Sequence, residues 1–229
     1  MILLAADTSG KLGSIALARV PDGLAGGGTA GTPEILEVVP LEGGTFSAQL
    51  VPQIADLLKK HGLSKQDIAG FAVASGPGSF TGLRVGLAAI KALAEILEKP
   101  IAAVSLLEAV ARSGESTGRV FAALDAGRGE VYAGEYEVGA SVRMLSERLV
   151  SREEVLAAAA GAIVLSPDAS LIAAARAAGL RVEQVAHPRS DLVARFGWEK
   201  IQAGKTIAPA DLEANYIRRS DAEIFAKSE

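Results

Sequence analysis

Apolar residues recur along this chain in two alternating patterns, and their order predicts an α/β protein built twice from one plan. Short apolar runs at Ile2–Ala6, Gly13–Arg19 and Glu34–Pro40 read as strands, the last two separated by a glycine-rich excursion between Pro21 and Pro33. A helix follows with Ser47 as its expected cap. Leu50, Ile54, Leu57 and Leu58 form its stripe, Pro52 lies inside the pattern, and Lys59, Lys60 and Gly62 stop it. Next come a strand at Gly70–Ser75, a helix over Leu83–Leu97, a strand at Ile101–Val104 and a short helix capped by Ser105.

The same order returns after the small polar linker Ser113–Gly118. Strands are predicted at Arg119–Asp125, Glu130–Glu137 and Val142–Leu149, with a helix capped by Ser151, a strand at Ala162–Ser166 and a helix after Asp168. A strand at Arg181–Ala186 and a helix over Ser190–Gly204 complete the copy. Three meandering strands followed by alternating helices and strands make a mixed sheet covered by helices. The expected division is a first lobe over 1–112, a second over 113–208, and an extension over 209–229 whose Tyr216, Ile217, Ile224 and Phe225 pack it back on the body.

The most informative string, Ser75-Gly-Pro-Gly-Ser-Phe-Thr-Gly-Leu-Arg-Val-Gly86, joins a strand to the longest apolar helix. Gly76, Gly78 and Gly82 can take positive φ, Pro77 presets the turn, and Ser79 or Thr81 can cap the helix. Amides at that helix start can face an anion; equally, the glycines can serve a tight connection packed on its neighbours. Two further turns open on an aspartate after an apolar strand, Asp7-Thr-Ser-Gly10 and Asp125-Ala-Gly-Arg-Gly-Glu130. In each, the aspartate either holds a water or metal ion near a phosphate or hydrogen-bonds its own turn. Asp7, Thr8, Ser9, Gly76, Gly78, Ser79, Thr81 and Asp125 are therefore the candidate nucleotide-facing or anion-facing residues.

Composition narrows the function classes. In 229 residues, 49% hydrophobic, the chain can bury a sizeable core. A net charge of −4 makes it a poor polyanion binder alone, so any RNA substrate is expected to be held mainly by something else. The absence of cysteine removes disulfides, thiolate nucleophiles and cysteine-ligated zinc. The start lacks a secretory leader and no apolar run reaches the ~18 residues that cross a bilayer, which points to a cytoplasmic protein without membrane association. His61, at a helix end, and His187, before Pro188, have no ligand-like spacing, so no metal site is expected. Gly204-Lys-Thr206 follows a helix and lacks the first glycine of a P-loop, and no Ser/His/Asp set points to a nucleophile.

Two lobes of this topology resemble the actin, Hsp70 and sugar kinase superfamily (the ASKHA, ribonuclease H-like fold), whose members bind nucleotide and contact phosphate through each lobe's first turn. Within it, Ile2-Leu-Leu-Ala-Ala-Asp-Thr-Ser9, the glycine string to Gly86, Asp125-Ala-Gly-Arg-Gly-Glu-Val-Tyr132 and Tyr216-Ile-Arg218 resemble the bacterial TsaB (YeaZ) family across essentially the whole chain. The resemblance implies a non-catalytic subunit that binds the paralogous transferase TsaD, with the ATPase TsaE. That machinery makes N6-threonylcarbamoyladenosine (t6A) beside the anticodon of tRNAs reading codons that begin with adenine. It implies tRNA contact only through the assembly and no resident cofactor; the alternative is an actin-like ATPase or small-molecule kinase. Where the catalytic paralogue carries two metal-binding histidines, this chain reads Thr45-Phe-Ser-Ala-Gln-Leu-Val-Pro52, and no glycine pair marks the adenosine position at Val164–Ser170.

The helix over Leu83–Leu97 is apolar around most of its circumference, with Arg84, Lys91 and Glu95 on one narrow stripe. Either the chain's own elements or a partner helix covers it. The family resemblance assigns this helix and the preceding one to a surface shared with TsaD or, in the free protein, with a second copy. The expected interface residues are Leu50, Ile54, Leu57, Val85, Gly86, Ala89, Ile90, Leu93 and Leu97.

Overall fold

The computed structural model describes residues 1–21 and 31–217. The first three strands are β1 (Ile2–Asp7), β2 (Leu12–Arg19) and β3 (Glu34–Glu42), followed by α1 (Phe46–Lys60), β4 (Ile68–Gly76), α2 (Phe80–Leu97) and β5 (Ile101–Ser105). Then come α3 (Leu106–Ser113), β6 (Gly118–Gly127), β7 (Glu130–Val138), β8 (Val142–Ser151), α4 (Arg152–Ala158), β9 (Ile163–Ser166), α5 (Ala169–Ala177), β10 (Arg181–Gln184) and α6 (Ser190–Gln202). Short 3₁₀ turns lie at Lys65–Asp67 and Pro209–Asp211. Arg218, Ile224 and Phe225 lie outside the described residues.

The strands form two five-stranded sheets, ordered β3-β2-β1-β4-β5 and β10-β9-β6-β7-β8. Each is antiparallel through its meander and parallel beyond it, β1 beside β4 and β6 beside β9. The duplicated plan read from element order is thus the observed topology, an α/β architecture of two mixed five-stranded sheets with helices.

By contacts the chain divides into residues 1–105 with 189–215, and residues 106–188 with 216–229. This differs from the expected boundary at 112/113. In the first unit, α6 packs on β1, β2, β4 and β5, whereas sequence order had assigned it to the second lobe. Its Gly197 lies so close to Ala72 that an added Cβ would come within 2.4 Å of the Ala72 Cβ. The reason is burial on both faces of the sheet. Every residue of β1 is buried, because Ile2, Leu4 and Ala6 join the core with α1 and α2, while Leu3 approaches Gly70 on the side that Ile201 of α6 covers. In the second unit α3 packs on β6 and β7, and Phe121, Ala123, Val131 and Val164 form a core with Val155 of α4 and Leu171 and Ala175 of α5.

Two helix starts differ from expectation. The cap of α1 is Thr45, with Ser47 inside the first turn, and α2 begins at Phe80 because Ser79 caps it, its hydroxyl accepting from the Gly82 amide at 3.3 Å. Ser151 caps α4 as expected, and Glu154 reaches back to the Ser151 amide at 2.7 Å.

An acid-labile clamp holds the start of the second sheet. Glu183 on β10 accepts from the Ser116 hydroxyl and from the Glu115 amide at 2.7 Å, and the Ser116 bond above all keeps its carboxyl below the ordinary value of 4.5. A carboxyl depressed in the folded state stabilises that state above its unfolded pKa, and the contribution disappears as pH falls through the folded value. Thermal melts between pH 7 and pH 3 should therefore show stability falling below about 4.5, with a shallower fall in Glu183→Gln. An unchanged acid slope in that variant would remove Glu183 from the account.

Candidate functional site

The anion-facing candidates of the first unit meet at the end of β1. Asp7, Thr8 and Ser9 are buried, and the Asp7 carboxylate accepts from the Ser9 amide at 2.9 Å and the Ser9 hydroxyl at 2.6 Å. The turn therefore closes on itself as an aspartate turn does. Ser14 faces Asp7 across β1 and β2, and its Oγ accepts from the Ser190 amide at the start of α6 at 3.0 Å. Neither the Ser14 nor the Ser190 contribution was visible in the sequence, since they lie 176 positions apart.

The glycine string packs onto this turn. The Ser79 amide donates to the Ser9 carbonyl at 2.6 Å, and the Thr8 hydroxyl donates to the Gly82 carbonyl at 2.7 Å. A Cβ at Gly78 would lie 2.4 Å from the Ser9 oxygen, at Gly82 2.1 Å from the Thr8 oxygen, and at Gly86 2.3 Å from Thr8 Oγ1. These three glycines are thus required for close approach rather than for left-handed φ. Only Gly76 of the string has positive φ, at +117°. Of the two roles open in the sequence, tight packing accounts for the glycines, and the Ser79 amide already has a protein acceptor. Thr81 is exposed on the first turn of α2, and the Arg84 guanidinium lies 3.6 Å from the Phe80 ring centroid.

Asp125, in the second unit, is exposed near the end of β6, and its amide donates to the Asp168 carboxylate at 2.8 Å. The remainder of its motif is a hairpin turn. Arg128 and Gly129 link the paired Gly127 and Glu130, and Gly127, Arg128 and Gly129 all have positive φ, at 73°, 56° and 80°. Among the described residues, no group of three or more His, Cys, Asp or Glu is placed to hold a metal ion, and no helix is long and apolar enough to cross a membrane. His61 ends α1 with Nε2 2.8 Å from Glu37, and His187 is exposed with its Nδ1 donating to the Pro188 carbonyl at 3.2 Å.

Burial divides the expected interface residues. Leu50, Ile54, Leu57, Gly86 and Ile90 are buried in the first unit's own core, and Val85, Ala89, Leu93 and Leu97 are half-buried against it. They are covered because α1, α2 and the sheet share one core, with the Pro209–Asp211 turn packed on the other flank of α2. What faces solvent is a narrower stripe of small and apolar residues. Ala88 and Ala92 are exposed on α2, Ile96 is 73% exposed beside them, and Val51 on α1 is 54% exposed. Arg84 and Glu95 border the alanines.

Residues 38–194 match the family model of TsaD, tRNA N6-adenosine threonylcarbamoyltransferase. The chain is 36% identical over 138 residues to the tRNA threonylcarbamoyladenosine biosynthesis protein TsaB of Bacillus subtilis, covering 60% of this chain and 56% of the relative. It is 38% identical over 104 residues to TsaB of Escherichia coli, covering 44% of each. The chain thus spans about half the length of these curated relatives. An uncharacterized protein of Mycobacterium tuberculosis is 30% identical over 83% of both chains. Among solved structures, YeaZ from Pseudomonas aeruginosa superposes with a TM-score of 0.70 at 23% identity, covering 94% of this chain and 99% of that one. The activator of 2-hydroxyisocaproyl-CoA dehydratase from Clostridium difficile, solved with ADPNP, superposes with a TM-score of 0.50 at 11% identity over 90% and 97% of the two chains. The family model spans more than half of the chain, so the chain belongs to the family that the TsaD model describes, and it is similar in sequence to TsaB proteins and in fold to YeaZ.

Proposed function

We propose that this chain serves t6A biosynthesis as a non-catalytic subunit, binding TsaD through the outer face of α1 and α2 and acting with TsaE. In this reading it contacts tRNA only through the assembly, works in the cytoplasm, and pairs with a second copy when TsaD is absent. The modified base is the adenosine beside the anticodon of tRNAs that read codons beginning with adenine. The observation that carries the reading is the solvent-facing stripe of Ala88, Ala92 and Ile96 on the longest helix of the described chain. Small side chains let a partner helix approach closely, and an Ile exposed to 73% gains by being covered. The packing of Gly78, Gly82 and Gly86 on Thr8 and Ser9 supports the non-catalytic part, since it gives the string a role in holding the first turn.

Mixing the purified chain with the cognate TsaD should give a stable complex by size-exclusion chromatography with light scattering. Separate elution of the two proteins would reject the reading. The second reading, an actin-like ATPase or small-molecule kinase, is favoured by the exposed Asp125 near the end of β6. It requires ATP turnover by the pure protein that Asp125→Ala abolishes.

A further inference from the structure

After α6 the chain crosses the first unit as a strap that carries the short Pro209–Asp211 turn, and it touches three places in succession. The Ile207 amide donates to the Ile101 carbonyl of β5 at 2.9 Å. Lys91 Nζ of α2 donates to the Ala210 carbonyl at 3.0 Å, and Leu212 is buried in the core shared by α1 and α2. The Asn215 amide then donates to the Ser75 carbonyl at 2.7 Å, at the end of β4 where the glycine string begins. The Asn215 oxygen lies 3.0 Å from where a Cβ on Gly76 would sit, so the strap seats on a residue that has no side chain and a φ of +117°. Three residues further on, the Ser79 amide holds the Ser9 carbonyl at 2.6 Å. A single run of nine residues, 207–215, therefore anchors on β5 at one end of its course, on α2 midway and on the start of the glycine string at the other end.

We propose that residues 207–215 are a clasp that positions the Gly76–Ser79 turn against Ser9 and fixes α2, so that releasing Asn215 loosens the turn and weakens whatever docks on α2. Asn215 and Lys91 are positioning residues in this account. The clasp follows from contacts within the first unit alone, and only its effect on TsaD rests on the function proposed above. Thermodynamic linkage makes the coupling reciprocal: a disturbance at Gly76 must be felt at Asn215, as one at Asn215 is felt at Ser79 and Gly82.

Hydrogen exchange on the full chain reads the clasp directly. Asn215→Pro removes the amide that Ser75 accepts, Asn215→Ala keeps it, and Lys91→Met removes the bond to Ala210. Amides of Ser79 and Gly82 should exchange about tenfold faster in Asn215→Pro, and to a smaller extent in Lys91→Met and in Asn215→Ala. Gly76→Ala should conversely speed exchange at Asn215, and its combination with Asn215→Pro should add little to either single change. Exchange at 76–82 unchanged in Asn215→Pro, while 207–215 exchanges faster, would overturn the clasp. Should Asn215→Pro fail to fold, Lys91→Met decides: faster exchange at Ser79 supports the clasp and wild-type exchange there overturns it. TsaD affinity falling with the loosened turn supports the link to α2, and wild-type affinity with a loosened turn overturns that link. If the wild-type chain itself fails to bind TsaD, the proposed function fails while the exchange pattern still judges the clasp.

Discussion

Gly82→Ala is expected to cost about 3 kcal/mol of folding stability and to lower the melting temperature by about 6–12 °C. The new Cβ would stand 2.1 Å from the Thr8 carbonyl oxygen, and the obstacle is backbone rather than the end of a flexible side chain. Relief requires moving either the first turn of α2 or the Asp7–Ser9 turn. Moving α2 stretches the Thr8 hydroxyl bond to the Gly82 carbonyl, and moving the turn disturbs the buried Asp7 carboxylate with its two bonds from Ser9. A control at Gly62 separates crowding from backbone conformation. That residue has φ +65° with nothing within 4 Å of an added Cβ, so Gly62→Ala should cost only about 1 kcal/mol. Equal losses at the two positions in thermal unfolding would mean that the glycine string does not pack as described.

Ala92→Glu should leave the fold intact and remove the partner. Ala92 is exposed on α2, and glutamate is nearly as good a helix former as alanine, so stability should change by no more than about 0.5 kcal/mol. A helix seated on Ala88 and Ala92 would instead meet a carboxylate that it must desolvate. Affinity for TsaD should then fall about 100-fold, or about 2.7 kcal/mol, in a calorimetric or interferometric titration. Ile96→Glu should act in the same direction, because Ile96 is 73% exposed beside Ala92. Leu145→Glu, on the half-exposed β8 position of the second unit, should leave the affinity unchanged. Wild-type binding by Ala92→Glu would place the docking surface elsewhere.

The repeated sheet was legible because its signals are local. Short continuous apolar runs at Ile2–Ala6 and Arg119–Asp125, each opening a meander that is followed by helices, needed no knowledge of distant contacts. The placement of α6 was not legible, because order along the chain puts it after β10 while its apolar face, through Gly197 and Ile201, fits Ala72 and Gly70 of the first sheet. Local cues also left the glycine string with two roles, and the choice between them depended on Thr8 and Ser9, some seventy positions earlier. The burial of several expected interface residues was hidden for a related reason. Hydrophobicity marks what is buried, and Leu50, Ile54, Leu57 and Ile90 are buried by their own chain, whereas Ala88 and Ala92 look unremarkable in a chain rich in alanine.

Reconstituted tRNA modification measures the central claim. With the cognate TsaD, TsaE, the threonylcarbamoyl donor and an unmodified tRNA that reads a codon beginning with adenine, t6A should form when this chain is present and stay at background when it is left out. Equal t6A formation with and without the chain would contradict the account.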